Sequence, residues 1–317
     1  MDGKPAGAGE RLPNERAILG GATVLLSVLP VGLLVAPSPL AALVLRHGLA
    51  SGIWTAVLSG AVASFLTQSP LILAQVLLAL ALGIALGQAL RESLGLRRTL
   101  VLGSLVVFFT TWLLMYFFEQ LTGVSMIDVV ATFWQEALKS VAGSDSMAQE
   151  ALLEAQIAAM RATLPASLLM GSAALTVLDF WLTRWLVQRL PGGEGEEAGA
   201  VPALPPFARW RFPRWVAGVY VLGRVVELLA GRLLDGWLQI GLVNVTLMLG
   251  FLITIQGFAV GWHYLERFKI AKGLRLLLAG GFYLFLQPIA TLLFLLAGLL
   301  DAWLDLRKLR KVAEPVA

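Results

Sequence analysis

Apolar residues run along this chain in long blocks separated by short polar turns. The first block extends from Ala17 to about Leu45 and contains Pro30, Pro37 and Pro39. A helix crossing the hydrocarbon core of a bilayer needs ~20 residues at 1.5 Å each. The block is too long for one straight span and short for two. It predicts a hairpin of two short helices turning between Pro30 and Pro39, with a span plus a re-entrant segment as the alternative. Further spans are predicted over Leu49 to Leu66, Leu71 to Leu90 and Thr99 to Phe118. After Gln120 the pattern changes. Residues 121–160 hold Asp128, Glu136, Asp145, Glu150 and Glu154 against one lysine, Lys139. Ile127, Val130, Phe133, Trp134, Leu138 and Val141 share a helical face that Asp128, Gln135, Glu136 and Lys139 avoid, as in a helix lying on a membrane surface or capping a bundle. Ser146 and Gln149 have the spacing of a capping box for the next helix. That helix leads into a span ending near Arg189, kinked or started by Pro165.

Residues 191–206, rich in glycine, proline and glutamate, read as a flexible cytosolic linker continuing to about residue 209. Apolar runs then cover Trp215 to Ala230, Ile240 to Tyr264 and Leu274 to about Leu304, the last broken at Gln287-Pro288 into two short helices. The expectation is an all-α, polytopic transmembrane helical bundle of about 8–10 spans, with a surface amphipathic helix in the outer 121–160 segment. One transmembrane domain over 17–308 is flanked by cytosolic tails at 1–16 and 309–317. Lysine and arginine cluster in 91–98, 184–214, 266–275 and the C-terminal tail. The positive-inside rule makes these cytoplasmic and, with both terminal stretches as hairpins, puts both termini on the cytoplasmic side of a bacterial inner membrane.

Composition sharpens this picture. Hydrophobic residues are 58% of the 317 positions and charged residues only 14%, whereas a soluble domain carries about 25% charged. Cysteine is absent, which excludes disulfides and thiolate chemistry, and the only histidines are His47 and His263. No metal site, cofactor or catalytic centre is expected. Glycine-rich phosphate loops, a nucleophile elbow and a His-Glu zinc motif are all missing. The net charge of +4 belongs to span ends rather than to a nucleic-acid surface.

Several residues are candidates for function. Gly52, Ala56, Gly60 and Ser64 form one stripe of small residues, and Ala81, Ala85 and Ala89, flanked by Gly83 and Gly87, form another. Such stripes let helices approach closely, either within the chain or against a partner membrane subunit. Arg224, Glu227, Asn244, Gln256, Asp301 and Asp305 are polar residues in or beside spans, where they serve as structural glue or mark a ligand path. Arg224 and Glu227, three apart, can pair. Asp179 and Arg184 can pair near a helix end. Asp301 and Asp305 can pair with Arg307, Lys308 or the 266–275 basic loop, or form a weak cation site. Trp112, Tyr116 and Glu119 end a span on the outer side, as part of an interfacial aromatic belt or as contacts for a small-molecule ligand.

Three stretches carry a resemblance. They are Pro206-Phe207 with Trp210-Arg211-Phe212-Pro213-Arg214-Trp215, then Gln256-Gly257-Phe258-Ala259-Val260 with His263-Tyr264, then Gly298-Leu299-Leu300-Asp301 with Asp305 and Arg307-Lys308. Their order and spacing resemble the YybS-like family of predicted bacterial membrane proteins. That family is distantly similar to the substrate-binding membrane subunits of energy-coupling-factor transporters. The resemblance implies a non-enzymatic, small-molecule-binding or transport-related component of the lipid bilayer. A membrane scaffold or regulatory partner in envelope physiology is the second reading, and an intramembrane enzyme the third.

Overall fold

The computed structural model describes residues 14–29, 31–142, 147–190, 201–230 and 236–308. The two tails, most of the glycine-rich linker, Pro30 and the Ser146 end of the proposed capping box lie outside these residues. Every regular element among the described residues is helical. The α-helices are α1 (Glu15–Val28), α2 (Pro37–His47), α3 (Leu49–Thr67), α4 (Pro70–Arg91), α5 (Leu96–Thr122), α6 (Met126–Ala142), α7 (Met147–Arg189), α8 (Arg214–Ala230), α9 (Trp237–Arg267), α10 (Lys272–Phe285) and α11 (Gln287–Leu304). Among the described residues six stretches are long and apolar enough to cross a membrane: Leu49–Thr67, Ile72–Arg91, Leu96–Thr122, Glu154–Arg189, Trp237–Arg267 and Gln287–Leu304. Lipid-exposed backbone has no water to bond, so a polytopic helical bundle is the expected solution.

Prolines start several of these helices. Pro37, Pro70 and Pro288 stand in the first turns of α2, α4 and α11, where the missing N–H would have no intrahelical partner. The first apolar block folds as two short helices, α1 and α2, with a 3-10 turn at Gly32–Leu34 between them. Residues 272–304 likewise divide into α10 and α11 at Leu286. Pro165 does not start α7. It sits inside a continuous helix of 43 residues. The amphipathic segment is helical as α6, with Val130 and Phe133 exposed.

The chain forms two compact units. The first comprises described residues up to 153 together with 168–204. At its centre is α2, buried continuously from Pro37 to Val44 and packed by α1, α3 and α4. Gly83 and Gly87 bring α4 against it. A Cβ on Gly83 would stand 2.5 Å from the Pro37 carbonyl oxygen, and one on Gly87 2.6 Å from that of Ala41. Leu40, Leu43, Leu80, Leu90 and Phe180 fill the core around this contact. Apolar burial gains little between helices already in lipid, so close van der Waals packing must hold them. Val201 and Leu204 also pack on this unit, which makes the last residues before Pro205 part of its core rather than a free linker.

The second unit comprises 154–167 and the described residues from 205 onward. Its axis is the pairing of α9 with α11. A Cβ on Gly257 would collide with the Phe294 carbonyl, and one on Gly298 with the Ile253 carbonyl. The two backbones therefore touch, and only glycine fits at either position. Phe258 and Phe294 stack beside the contact with ring centroids 3.8 Å apart.

Candidate functional site

In the second unit the three motif stretches converge on one buried polar cluster. Gln256, on α9, is 1% exposed. Its Nε2 donates to Asp301 Oδ2 at 2.8 Å, and its Oε1 accepts the Phe212 N–H at 3.0 Å. Asp301, on α11, is fully buried. Arg307 completes the cluster. Its Nη2 donates to Asp301 Oδ2 at 2.8 Å and its Nε to Oδ1 at 3.3 Å. The same guanidinium donates to the carbonyls of Ala208, at 2.6 Å, and Trp210, at 2.9 Å. Asp305 ends α11 with φ of 52°, a left-handed turn that aspartate tolerates better than most residues. That turn brings Arg307 back toward Asp301. Tyr264 holds it by donating to the Leu306 carbonyl at 3.2 Å, and Arg211 pairs with Asp305 at 3.4 Å. Charge and hydrogen-bond demand are met within the cluster, so Asp301 is already neutralised by Arg307 and offers no vacant cation site.

Elsewhere in this unit, Glu227 accepts hydrogen bonds from Arg224 and from Thr246. Asn244, on α9, has a more specific task. Proline has no N–H and its ring crowds the preceding turn. Ala166 N–H and the Ala162 carbonyl would bond each other in an unbroken α7. Here Asn244 Oδ1 accepts from Ala166 N–H at 2.9 Å, and Asn244 Nδ2 donates to the Ala162 carbonyl at 2.6 Å. The side-chain amide splints the helix beside Pro165.

The first unit holds a different polar arrangement. Ser172, Thr176, Asp179 and Thr183 lie on one face of α7 and are all buried. Ser38, between Pro37 and Pro39 on α2, donates to Asp179 Oδ1 at 2.6 Å. Thr183 donates to the Ser38 carbonyl at 3.4 Å. Asp179 Oδ2 and Thr176 Oγ1, one turn apart, are buried without a hydrogen-bond partner. The expected Asp179–Arg184 pairing does not form, because Arg184 donates instead to the Val201 carbonyl. Arg46, also buried, pairs with Glu15 at 2.8 Å and donates to the Val187 carbonyl at 3.4 Å. Asp179 lies within the membrane-length stretch Glu154–Arg189, five residues or about 7.5 Å along the helix from Arg184. Sequence reasoning passed over this stripe. Its signal was the spacing of polar residues at 172, 176, 179 and 183 within an apolar run.

The remaining candidates are distributed rather than gathered. Trp112, Tyr116 and Glu119 lie on the exposed surface of α5. Gly52, Ala56 and Gly60 are buried on α3. A Cβ on Gly52 would meet Val44 and one on Gly60 would meet Leu73, so this stripe packs against the chain's own helices. Ser64 is half-buried and bonds the Ser69 carbonyl. On α4 the flanking Gly83 and Gly87 make the close approach, whereas Ala81 and Ala85 are half-buried and Ala89 is buried. Among the described residues no three histidine, cysteine or carboxylate side chains gather as metal ligands.

Six membrane-length helices among the described residues, with polar side chains buried between them, define a polytopic helical membrane protein. The profile of a family described as a predicted membrane protein (DUF2232) matches residues 16–302, and the chain belongs to that family. It is 25% identical over 297 residues to the uncharacterized protein YybS of Bacillus subtilis (strain 168), covering 90% of this chain and 89% of the relative. The YybS-like resemblance carried by the three motifs is thereby borne out. No solved structure matches.

Proposed function

We propose that this protein is a non-enzymatic, transport-related component of the bacterial cytoplasmic membrane, binding a small molecule or working with other membrane subunits. The observation that carries this reading is Asp179. An ionisable side chain within a span is costly to insert, up to about 2.5–3.5 kcal/mol at its centre, and such residues mark ion and substrate paths. Asp179 is fully buried and only half-satisfied, which a purely structural role does not require. The family's distant similarity to substrate-binding subunits of energy-coupling-factor transporters supports the same reading. The basic turns favour cytoplasmic termini. Trp112 and Tyr116 then belong to the outer aromatic belt, with Glu119 at its rim.

A scaffold or regulatory role is the second reading. It draws on the internally paired cluster of Gln256, Asp301 and Arg307, which braces without recruiting a ligand. Native mass spectrometry of the protein, released gently from its own membranes, separates the two. A stoichiometric small molecule, or a co-purifying membrane subunit with an ATPase, is the expected result. Recovery alone, or with envelope proteins and no ligand, would overturn the transport reading.

A further inference from the structure

Among the described residues the buried carboxylates are Glu15, which pairs with the buried Arg46, Asp301 and Asp179. Asp301 faces Arg307 and has both oxygens occupied. Among the described residues no cation pairs with Asp179. Its Oδ1 takes the Ser38 hydroxyl, and its Oδ2 is enclosed with no donor. The elements packed around this layer are α2 through Ala41, α4 through Leu82 and Leu86, and α5 through Gly103 and Val107. Their charged groups are Arg46 and His47 on α2, Arg91 on α4, and Arg97, Arg98 and Glu119 on α5. Arg184 and Arg189 follow on α7 itself, and Glu15 and Arg16 stand on α1. Each of those on α2, α4, α5 and α7 lies more than one helical turn, ~5.4 Å, along its helix from the layer. Arg46 is engaged by Glu15, and Arg184 by the Val201 carbonyl.

We infer that Oδ2 of Asp179 is a proton-binding site within the span, taking up and releasing one proton. This inference rests on the transport-related reading above. The step is a single O–H bond. Uptake forms it on Oδ2 and takes the carboxylate from one negative charge to none; release breaks it and returns the proton to water. The protonated oxygen is neutral, so the lack of a donor at Oδ2 no longer leaves a buried charge unanswered. Uptake therefore removes an uncompensated charge from the bilayer interior. A metal ion is a poor competitor, since no further carboxylate, histidine or cysteine joins Asp179 in a metal-holding cluster among the described residues.

The test is infrared difference spectroscopy of the full chain in lipid nanodiscs, stepped from acid to alkaline buffer in H2O and in D2O. The expected signal is a protonated-carboxyl C=O band that bleaches in alkali and shifts in D2O. It should vanish in Asp179→Asn, and in Ser38→Ala its frequency should shift because the Oδ1 hydrogen bond is lost. A band that survives Asp179→Asn would overturn the assignment, as would one that never bleaches while the protein stays folded. Should Asp179→Asn fail to fold, Ser38→Ala decides alone, and an unshifted band rejects the site. A proton band behaving as described, beside a mass spectrum with no ligand or subunit, would sink the transport reading and leave the proton site standing. The converse would remove only the proton site.

Discussion

Each unit of this protein buries an aspartate in a membrane-length helix, and the two are held in opposite ways. Asp301 receives a guanidinium and a carboxamide, and the guanidinium goes on to cap two carbonyls. Asp179 receives one serine hydroxyl and keeps an oxygen bare. In a low-dielectric interior a fully paired charge is a brace, and removing one partner leaves the other stranded. A half-paired carboxyl has no such partner to strand, and it retains the capacity to exchange something. The comparison teaches that burial alone does not identify a working group. What matters is whether its hydrogen-bonding capacity is already spent.

The sharpest way to break this comparison is Asp301→Ala. It should cost about 3–5 kcal/mol, because Arg307 is left as an uncompensated buried charge. Thermal unfolding in detergent should show the loss, and Asp301→Leu combined with Arg307→Met should be clearly milder. A double variant as unstable as the single one would mean that the ionic pair is not what Asp301 contributes. By contrast, Asp179→Asn should change stability by no more than about 1 kcal/mol, since the amide oxygen still accepts from Ser38 and no buried cation is left unpaired. A loss matching that of Asp301→Ala would erase the distinction between the two units. A smaller effect tests the splint. Asn244→Leu should cost about 1–2 kcal/mol, chiefly through its two lost contacts to the α7 backbone. In a Pro165→Ala background, where Ala166 N–H can return to the Ala162 carbonyl, the cost should fall by at least half. An equal cost in both backgrounds would show that Asn244 does not act through the proline break.

Much of the fold was legible before any coordinates, because the cost of exposing backbone polar groups to lipid leaves few choices. Block lengths marked the helices, and Pro37, Pro39 and Gln287-Pro288 marked the divisions of the two terminal blocks. The YybS-like motifs pointed to Gln256, Asp301 and Arg307, and their convergence explains why residues so far apart in sequence travel together. Pairings were less legible. Asp179 was matched to Arg184 by proximity along the helix, yet its partner is Ser38, 141 positions away. Asn244 was recognised as polar within a span, but nothing local could say that it would mend α7 beside Pro165. The small-residue stripes showed close approach without naming the neighbour. Gly52 and Gly60 meet Val44 and Leu73 of the same chain.

The sequence by itself therefore determined that this chain lives in a bilayer as helices, where those helices start and stop, and which buried positions carry polar atoms. These are local or one-dimensional properties, set by apolar run length, proline and glycine placement and transfer cost. Only the tertiary structure decided which polar atoms are satisfied. Arg307 reaches Asp301 because the backbone reverses at Asp305, and Asp179 Oδ2 stays bare because α2 presents one hydroxyl where α9 and the returning tail present three donors. Satisfaction depends on what neighbouring helices bring to within 3 Å, and no periodicity along a single helix encodes it.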